Sequence, residues 1–412
     1  MRVILAHNNL VIAGGAEVFY HETGRVLSAH GNDVAYFSSK DGKNPQNEWE
    51  RYFPRVAEYK KGSLVKRVFD FRNMVYSRTA RDCMKRLIDD FRPDIVHAFA
   101  IHGRLTPSIL DACREAGVPA VMSCNDYKHI CPNYKMYHHG RICAECAGGR
   151  FYRAALNRCC KGSLVYSVAS AIESYAQSSI DIYRKNISIF LFASEFMANK
   201  TGEFWGADVR WKLLRNPFNS PSFACHPGHD DYLLYFGRLI DEKGVDVLLK
   251  AMAHAPRARL KIVGNGPQEA ELRELAKGLN LNNVEFVGPK WGDGLNALLF
   301  RARFVVVPST WHENFPYVIL QSFAAGKAVL GSDRGGIPEL IEHGRSGFIY
   351  TALDHRSLAE YINILWDDKK KAVQMGIDAK EWADENFNDA RFFADIMRIY
   401  REALDARTDI RR

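Results

Sequence analysis

The sequence contains no run of about 20 consecutive apolar residues, which is the length that a membrane-spanning helix requires. Residues 2–7 are typical of a strand, so we expect no secretory signal at the start. Cysteine is scarce, at nine residues of 412. We therefore expect a cytoplasmic protein whose cysteines are reduced or metal-bound and not paired in disulfides.

The composition is that of a globular protein, with 47% hydrophobic and 25% charged residues. A chain of this length is expected to form about two domains, each with its own core. Strand patterns alternate with helix patterns, which predicts an α/β fold built on doubly wound parallel sheets. Ligands of such sheets bind at the carboxyl ends of the strands.

Positive charge is concentrated in the first half of the chain. The net charge is +8, and residues 1–190 carry 27 basic and 18 acidic side chains. Residues 63–91 have the pattern of a basic amphipathic helix, which either lies at a membrane interface or packs on the sheet. The excess of positive charge predicts an anionic partner, such as an acidic lipid surface, a lipid diphosphate or nucleic acid. The alternative is a basic face that is only solvated.

Polar and glycine residues follow strands of the first half. His97 ends one predicted strand, and Asn125 and Asp126 follow the next. Gly14 and Gly15 precede the first helix, where paired glycines allow either a close backbone approach to a ligand or merely a tight turn. Further along, residues 164–183 have a helical pattern, and we expect the small and apolar residues of this helix to face inward.

Four cysteines of the loop 131–160 have a spacing that suits a metal. Cys131, Cys143, Cys146 and Cys159 follow the pattern Cys-x11-Cys-x2-Cys-x12-Cys, in which four thiolates can hold zinc tetrahedrally. The residues between them are too polar to pack by themselves, and a structural zinc would offset that deficiency. The alternative is a loop whose reduced cysteines pack as small hydrophobes.

The second half begins after a linker. Residues 217–230 contain three prolines and few apolar residues. The strand at 232–236 is followed by Gly237, Arg238 and Lys243. Two cations five positions apart in a loop after a strand suit a diphosphate, because arginine binds it in a bidentate way and lysine supplies a compact charge.

The most informative stretch is 305–326. Its β-branched start predicts a buried strand, Glu313 follows in a turn, and Pro316 is placed at a first helical position. Strand, turn and helix N-terminus form an anion site, because unbonded backbone N–H groups and the helix dipole point toward it. A carboxylate beside an anion site suits a ligand with both hydroxyls and phosphates, such as a sugar diphosphate.

Three stretches together resemble motifs of the family-four (group 1) retaining glycosyltransferases of the GT-B fold: residues 235–244, 305–326 and 332–340. The resemblance covers nearly the whole chain. It implies two Rossmann-like doubly wound domains that face a deep cleft. The implied parts are an acceptor-binding domain over 1–216 that includes the loop 131–160, the linker 217–230, a donor-binding domain over 231–385, and a C-terminal helix over 386–412 that packs back on the first domain.

The resemblance also implies roles for individual residues. Arg238 and Lys243 would stabilise the departing nucleoside diphosphate without a metal, and Glu313 would accept hydrogen bonds from the donor sugar. The other implied donor-binding residues are Gly14, Gly15, Gly237, Gly264, Gly266, Asn314, Phe315, Pro316 and Gln321. On the acceptor side, the resemblance points to Asn125 and Asp126, and we add His97 because it also ends a predicted strand.

Two positions depart from the family's pattern. Asn125 stands where these enzymes usually have a histidine, and an asparagine cannot titrate. Gln321 replaces the second glutamate of the Glu-x7-Glu element. Because glutamine still offers a carbonyl acceptor and two N–H donors, we expect donor binding to survive.

The expected function is transfer of a hexose-type sugar from a UDP- or GDP-type nucleotide sugar to a free or lipid-linked saccharide, in the assembly of bacterial surface polysaccharide or glycolipid. Catalysis is expected to need no cofactor, and the zinc of the cysteine loop would be structural. We expect no nucleic acid partner, and a peripheral contact between the basic N-terminal domain and the anionic inner face of the cell membrane. The alternative is a non-catalytic sugar-nucleotide-binding or scaffold relative.

Overall fold

The computed structural model describes residues 1–55, 73–206, 208–225 and 230–410. The chain forms two compact units. Unit 1 comprises Met1–Met136, Ala144–Pro217 and Ala390–Arg412, and unit 2 comprises Tyr137–Cys143 and Phe218–Asp389. Among the described residues, no helix combines the length and the apolar character that crossing a bilayer needs.

Strands and helices alternate through most of the chain. The strands are β1 (Arg2–Ala6), β2 (Asp33–Phe37), β3 (Ile95–Ala98), β4 (Ala120–Cys124), β5 (Tyr137–His138), β6 (Arg141–Ile142), β7 (Ile189–Phe192), β8 (Trp211–Leu213), β9 (Leu233–Phe236), β10 (Leu260–Val263), β11 (Val284–Gly288), β12 (Val305–Val307), β13 (Val329–Ser332) and β14 (Gly347–Tyr350). The helices are α1 (Gly15–Ala29), α2 (Arg78–Phe91), α3 (Ser108–Glu115), α4 (Tyr152–Leu156), α5 (Leu164–Ser179), α6 (Glu195–Trp205), α7 (Val245–Met252), α8 (Glu269–Gly278), α9 (Gly292–Arg301), α10 (Tyr317–Ala324), α11 (His355–Asp367), α12 (Lys369–Asn386) and α13 (Asp389–Ile410).

Unit 1 is built on a parallel sheet that, within the described residues, has six strands in the order β2-β1-β3-β4-β7-β8. Val3 of β1 pairs with Val34 on one side and with Ile95 on the other. The strand order therefore reverses between β1 and β3. The loops that follow these two strands lie at the place where doubly wound sheets bind ligands.

Both faces of the unit 1 sheet are covered by helices. One core cluster joins Ile4 and Val96 of the sheet to Leu87 of α2. The other joins Leu5 to Ile399 of α13. Since α13 is the last helix of the chain, its packing confirms the prediction that the C-terminal helix returns to the first domain.

The basic helix predicted over 63–91 is described only in part, because residues 63–72 lie outside the described residues. The described helix α2 begins at Arg78, where the Ser77 hydroxyl accepts a hydrogen bond from the N–H of Ala80 at 3.1 Å and caps the helix. Its apolar side chains, such as Met84, are buried in unit 1. This part of the predicted helix therefore packs on the sheet.

The helix predicted over 164–183 is observed as α5, but the prediction about its inward face is wrong for the large apolar residues. Small residues face inward as expected, yet Val165 is 77% exposed and Ile172 is 47% exposed. Glu173 is buried instead, and its carboxylate lies 2.8 Å from the ammonium of Lys128. This ion pair holds the polar side of α5 against the unit.

Unit 2 has its own parallel sheet which, in the described part of the chain, has six strands in the order β11-β10-β9-β12-β13-β14. The strand order reverses between β9 and β12. A short antiparallel hairpin, β5 with β6, is grouped with this unit, where the Tyr137 hydroxyl lies 3.0 Å from that of Thr310. The two parallel sheets confirm the predicted α/β class with two Rossmann-like domains.

Candidate active site

The loop after β9 is held against the loop after β10 by main-chain contacts. The N–H of Leu239 donates to the carbonyl of Asn265 at 2.9 Å. A Cβ at Gly264 would lie 1.8 Å from the carbonyl oxygen of Gly237, and one at Gly266 would lie 2.2 Å from that of Leu239. Gly264 and Gly266 are therefore needed for the packing of the two loops, and their contact with a donor stays a prediction.

The same loop is held on its other side by the loop after β12. The N–H of Thr310 donates to the carbonyl of Glu242 at 3.0 Å. Gly244 has φ +65°, and a Cβ there would lie 2.0 Å from the carbonyl oxygen of Pro308, so only glycine meets both conditions. Lys243 is thereby positioned where the strand order of unit 2 reverses.

Glu313 and Lys243 form an ion pair at this place. One carboxylate oxygen of Glu313 accepts from the ammonium of Lys243 at 2.5 Å and from the hydroxyl of Ser309 at 2.6 Å. Glu313 is 5% exposed. Burial alone would raise the pKa of Glu313, but the Lys243 ammonium and the Ser309 hydroxyl hold that pKa below its ordinary value. Two of the predicted catalytic residues are thus in direct contact, with the carboxylate charged at neutral pH.

A glycine turn after β13 holds the backbone of Glu313. The N–H of Gly336 donates to the carbonyl of Glu313 at 2.8 Å. Gly335 has φ +62°, and a Cβ there would lie 2.0 Å from the same carbonyl oxygen. This turn belongs to the family motif at 332–340, but we predicted no role in the site for its glycines. Their signal in the sequence was a pair of glycines that begins three residues after β13 ends.

Two serines, one at the end of β13 before this turn and one in the loop after β12, add a second support. The Ser332 hydroxyl, at the end of β13, donates to the carbonyl of Ser309 at 2.7 Å. Ser309 in turn donates to Glu313. Sequence reasoning missed Ser309 and Ser332, because a serine at the end of a buried strand has no pattern that marks it as functional.

The segment 314–316 leads from Glu313 into α10. The helix begins at Tyr317, so Pro316 precedes the first helical position that we predicted for it. Phe315 is buried, and its ring centroid lies 5.8 Å from that of Phe387. The Phe315 side chain is therefore part of the core, which leaves its main chain for any contact with a donor. Asn314 is partly exposed before the helix, and Gln321 is partly exposed within it.

Arg238 lies on the loop after β9 and has an exposed side chain. Its carbonyl oxygen accepts a hydrogen bond from the hydroxyl of Tyr235 at 2.8 Å. This bond holds the backbone at the end of β9, while the guanidinium remains accessible to an anion from solvent.

The paired glycines of unit 1 start α1. Gly14 has φ −170°, and a Cβ there would lie 3.6 Å from a carboxylate oxygen of Glu17, which is an ordinary contact. Gly15 is the first residue of the helix. A larger residue at position 14 would meet neither a steric clash nor an unfavourable backbone conformation. Only contact with a ligand would therefore require a glycine at this position.

His97 is a core residue and not an open acceptor contact. It is fully buried in β3, with one ring nitrogen 2.8 Å from the Tyr400 hydroxyl and the other 2.8 Å from the Ser123 hydroxyl. Burial lowers the pKa of His97 to about 3. Its neutral ring therefore joins α13 to the sheet, and a saccharide cannot reach it in this structure.

Asn125 and Asp126 follow β4, as predicted, and both are partly exposed. The Asp126 carboxylate accepts from the backbone N–H of Lys128 at 2.9 Å. Burial raises the pKa of Asp126 to about 6 even so. Asp126 is thus a carboxyl group that can change protonation near neutral pH, which an acceptor-side role could use.

The four cysteines of the predicted zinc loop are divided between the units. Cys143 follows β6 in unit 2, and the other three belong to unit 1. Within unit 1, Cys146 is buried in a small apolar cluster with Phe151, and Cys159 packs against that cluster. A structural zinc ion in this loop stays a prediction.

Two family models match the chain, and curated relatives are similar over part of it. The model "Glycosyl transferases group 1" matches residues 223–382, and "Glycosyltransferase Family 4" matches residues 13–190. A D-inositol 3-phosphate glycosyltransferase of Corynebacterium efficiens is 29% identical over 44% of this chain and 45% of its own length. An exopolysaccharide phosphotransferase of Streptomyces coelicolor is 36% identical over 42% of this chain and 19% of its own length. The chain thus matches less than half of the length of these relatives.

Solved structures share the fold over nearly the whole chain. Sucrose-phosphate synthase from Thermosynechococcus elongatus has a TM-score of 0.71 at 19% identity, with 98% of this chain and 99% of that chain covered. HepE of Anabaena, solved in complex with UDP-glucose, has a TM-score of 0.64 at 18% identity, with 98% and 100% covered. The two family models together span most of the sequence, on a fold that these structures share, and the chain belongs to the group 1, family 4 glycosyltransferases of the GT-B fold.

Proposed function

We propose that this protein is a retaining hexosyltransferase that moves a sugar from a nucleotide diphosphate sugar to a saccharide acceptor. The observation that carries the proposal is the ion pair between the buried Glu313 and the partly exposed Lys243 at the carboxyl ends of β9 and β12. A charged, ordered carboxylate suits the hydroxyls of a sugar, and an ammonium beside it suits a phosphate. Membership of the family supports glycosyl transfer as the reaction.

We expect the two members of this ion pair to bind different parts of the donor. When the donor enters, we expect its sugar hydroxyls to donate to Glu313 and its diphosphate to accept from Lys243. Arg238 is exposed on the same loop and is expected to bind the diphosphate as well. The positions of Lys243 and Glu313 are held by Gly244 and by the turn at 335–336, so little reorganisation is needed as charge develops.

We further propose that the acceptor attacks from the face that the diphosphate leaves. The bond between the anomeric carbon and the diphosphate oxygen breaks, the acceptor oxygen bonds to the same face of that carbon, and the departing diphosphate takes the acceptor's hydroxyl proton. Lys243, Arg238 and the N-terminus of α10 then stabilise the negative charge of the leaving group. No protein nucleophile takes part in this route.

The proposed donor is a UDP- or GDP-type sugar, and the proposed acceptor is a lipid-linked or free saccharide of bacterial surface polysaccharide or glycolipid assembly. HepE of Anabaena, which has a similar fold, was solved with UDP and with UDP-glucose, and this favours testing UDP-sugars first. A lipid-linked acceptor would require a peripheral contact with the membrane, which the basic N-terminal half favours.

The test is a thermal-shift screen of nucleotide sugars, followed by transfer assays with polyprenyl-diphosphate-linked saccharides. The anomeric configuration of the product, read by NMR, tests retention. Lys243→Ala and Arg238→Ala should each lower turnover by about 100-fold or more. Lys250→Ala and Arg257→Ala are matched controls, since both residues form exposed ion pairs in unit 2. Near-normal turnover in either site variant would contradict the mechanism.

A non-catalytic sugar-nucleotide-binding protein is the second candidate. The uncharged Asn125 and Gln321, where the family usually has a histidine and a glutamate, are the observations that favour it. Donor binding without transfer or hydrolysis, across UDP- and GDP-sugars, would support this candidate over the enzyme.

A further inference from the structure

Exposed apolar side chains are concentrated on one surface of unit 1. Of the 17 large hydrophobic side chains that are exposed in the described part of the chain, nine lie between residues 152 and 180. They belong to α4, to α5 and to the residue after α5, and we call them the α4–α5 surface: Tyr152, Leu156, Leu164, Val165, Tyr166, Val168, Ile172, Tyr175 and Ile180. Clustered exposure of this kind marks a surface that binds something.

Helix α5 has the reverse of the usual amphipathic arrangement. Ser167 is fully buried, and Gln177 is also buried, whereas the valines and the isoleucine of the helix are exposed. A surface helix normally buries its apolar stripe and exposes its polar residues. The reversal indicates that an apolar phase covers the outer side of α5 when the protein functions.

The reversed orientation of α5 is fixed by hydrogen bonds on its inner side. The Glu173 carboxylate accepts from the Lys128 ammonium at 2.8 Å, and the Gln177 amide donates to Glu173 at 3.3 Å. The Ser167 hydroxyl accepts from the N–H of Cys160 at 2.9 Å. Rotation of the helix to bury its apolar stripe would expose these bonds or leave a buried ion without its partner.

Positive charge accompanies the apolar residues. The sequence from 150 to 172 contains Arg150, Arg153, Arg158 and Lys161 and no acidic residue, and all four are exposed. The Arg153 guanidinium lies 5.5 Å from the ring of Tyr152, and the Lys161 ammonium lies 5.0 Å from the ring of Tyr166. Tyrosines and cations together at the edge of an apolar patch are typical of segments that lie in a bilayer interface.

We propose that the α4–α5 surface docks unit 1 on an anionic phospholipid bilayer. Its apolar side chains would enter the boundary between headgroups and acyl chains, and its arginines and lysine would contact lipid phosphates. This inference deepens the proposed function, on which it rests for its biological sense, because a lipid-linked acceptor is presented at a membrane. It places the contact on α4 and α5 and not on the basic helix predicted over 63–91.

The charges favour a bilayer over a second copy of this chain. A symmetric dimer through this surface would bring its four cations toward the same four cations of the partner, and like charges across an interface cost affinity. An anionic membrane presents the opposite sign. The same charges make the binding dependent on ionic strength.

The test is co-sedimentation of the full-length protein with vesicles of phosphatidylcholine and phosphatidylglycerol in a ratio of about 2:1, beside pure phosphatidylcholine vesicles. We expect binding to the anionic vesicles that weakens by about tenfold or more between about 0.05 M and 0.5 M salt. Val165→Glu and Ile172→Glu should each weaken it by about tenfold or more. Ile364→Glu is the matched control, since Ile364 is an isoleucine on α11 of unit 2 that is 40% exposed, and it should bind as the wild type does.

Several outcomes would overturn the inference. The first is that the wild type does not bind anionic vesicles, and the second is that Ile172→Glu binds them as well as the wild type does. The third is that Ile172→Glu and Ile364→Glu lose vesicle binding to the same extent. A wild-type dimer in analytical ultracentrifugation that Ile172→Glu dissociates would assign the surface to a second copy. Unchanged donor nucleotide binding by Ile172→Glu shows that the variant is folded. Failure of the glycosyl transfer assay with intact vesicle binding would count against the proposed function alone.

Discussion

Removal of the positive charge at position 243 should destabilise unit 2 in a way that depends on pH. The variant Lys243→Met keeps most of the apolar stem of the side chain and leaves the Glu313 carboxylate without its ammonium. Removal of one partner from a deeply buried ion pair costs about 3–5 kcal/mol. The Lys243 side chain is 27% exposed and Ser309 still donates to Glu313, so we expect a smaller loss of about 2 kcal/mol at pH 7.

The pH dependence follows from the sign of the pKa shift. In the wild type the pKa of Glu313 is below its ordinary value. The stability that the charged Glu313 contributes is therefore fully present above the pKa of a glutamate in the unfolded chain, which is about 4.3. This stability is lost as the pH falls through the pKa of Glu313 in the folded protein. In Lys243→Met, burial is no longer offset by the ammonium and the pKa of Glu313 should rise. The variant is then penalised at neutral pH, and the difference between the two proteins should shrink toward pH 4.

Thermal unfolding midpoints at pH 7 and at about pH 4.5 measure this difference. A loss of about 2 kcal/mol corresponds to a midpoint that is about 4–8 °C lower for a unit of this size. Lys250→Met, in an exposed pair with Asp246, is the control and should change the midpoint little. The double variant Lys243→Met with Glu313→Gln should recover part of the loss, because no buried charge remains. An equal loss at both pH values, or no loss at pH 7, would refute the reasoning.

Four further predictions test other parts of the chain. Gln321→Glu should keep the donor affinity within about tenfold of the wild-type value, or about 1.4 kcal/mol, as measured by calorimetry. Complete loss of donor binding would show that Gln321 is wrongly assigned to the donor site. Gly335→Ala should destabilise the protein by more than about 1 kcal/mol and lower turnover. The control is Gly344→Ala, because Gly344 also has a left-handed backbone conformation but has open space around it, and this variant should leave turnover unchanged. Burial raises the pKa of Asp126 to about 6, so the stability that its protonated carboxyl contributes is present below about pH 4 and is lost as the pH rises through 6. The wild-type unfolding midpoint should therefore fall between about pH 4 and pH 6, and in Asp126→Asn this fall should be smaller. Metal analysis of the purified protein should find about one zinc ion per chain, and Cys143→Ser should lower that value. A wild-type protein without zinc would contradict the predicted zinc site of the cysteine loop.

The position of the candidate site could be predicted because it follows from strand order. A β-branched run followed by a turn places Glu313 at the carboxyl end of a parallel strand, and the same reasoning places Lys243 after β9. What the sequence could not predict is their direct contact. The two residues are 70 positions apart, and only the observed neighbours in the sheet, β9 beside β12, bring their loops together.

The role of His97 could not be predicted for a related reason. A histidine at the end of a parallel strand is a fair candidate for ligand contact, because such ends form the binding edge of the sheet. Here its partner is the hydroxyl of Tyr400, 303 positions away. The docking of the last helix on the sheet of unit 1 decides that this ring is buried, and no local pattern around residue 97 reports on that docking.

Helix α5 shows a limit that lies in the periodicity itself. Apolar residues at helical spacing identify a stripe on a helix, but a stripe that faces the core and one that faces a bilayer have the same period. The default assumption is that the stripe faces inward, which led to the wrong prediction here. The sequence does carry a corrective signal, since Glu173 and Gln177 recur at helical spacing on the opposite side, and Lys128 supplies the partner that lets Glu173 be buried. A polar stripe that contains a carboxylate with a distant lysine partner is therefore a reason to ask whether the helix is turned outward, and the vesicle experiment with Ile172→Glu decides it for this chain.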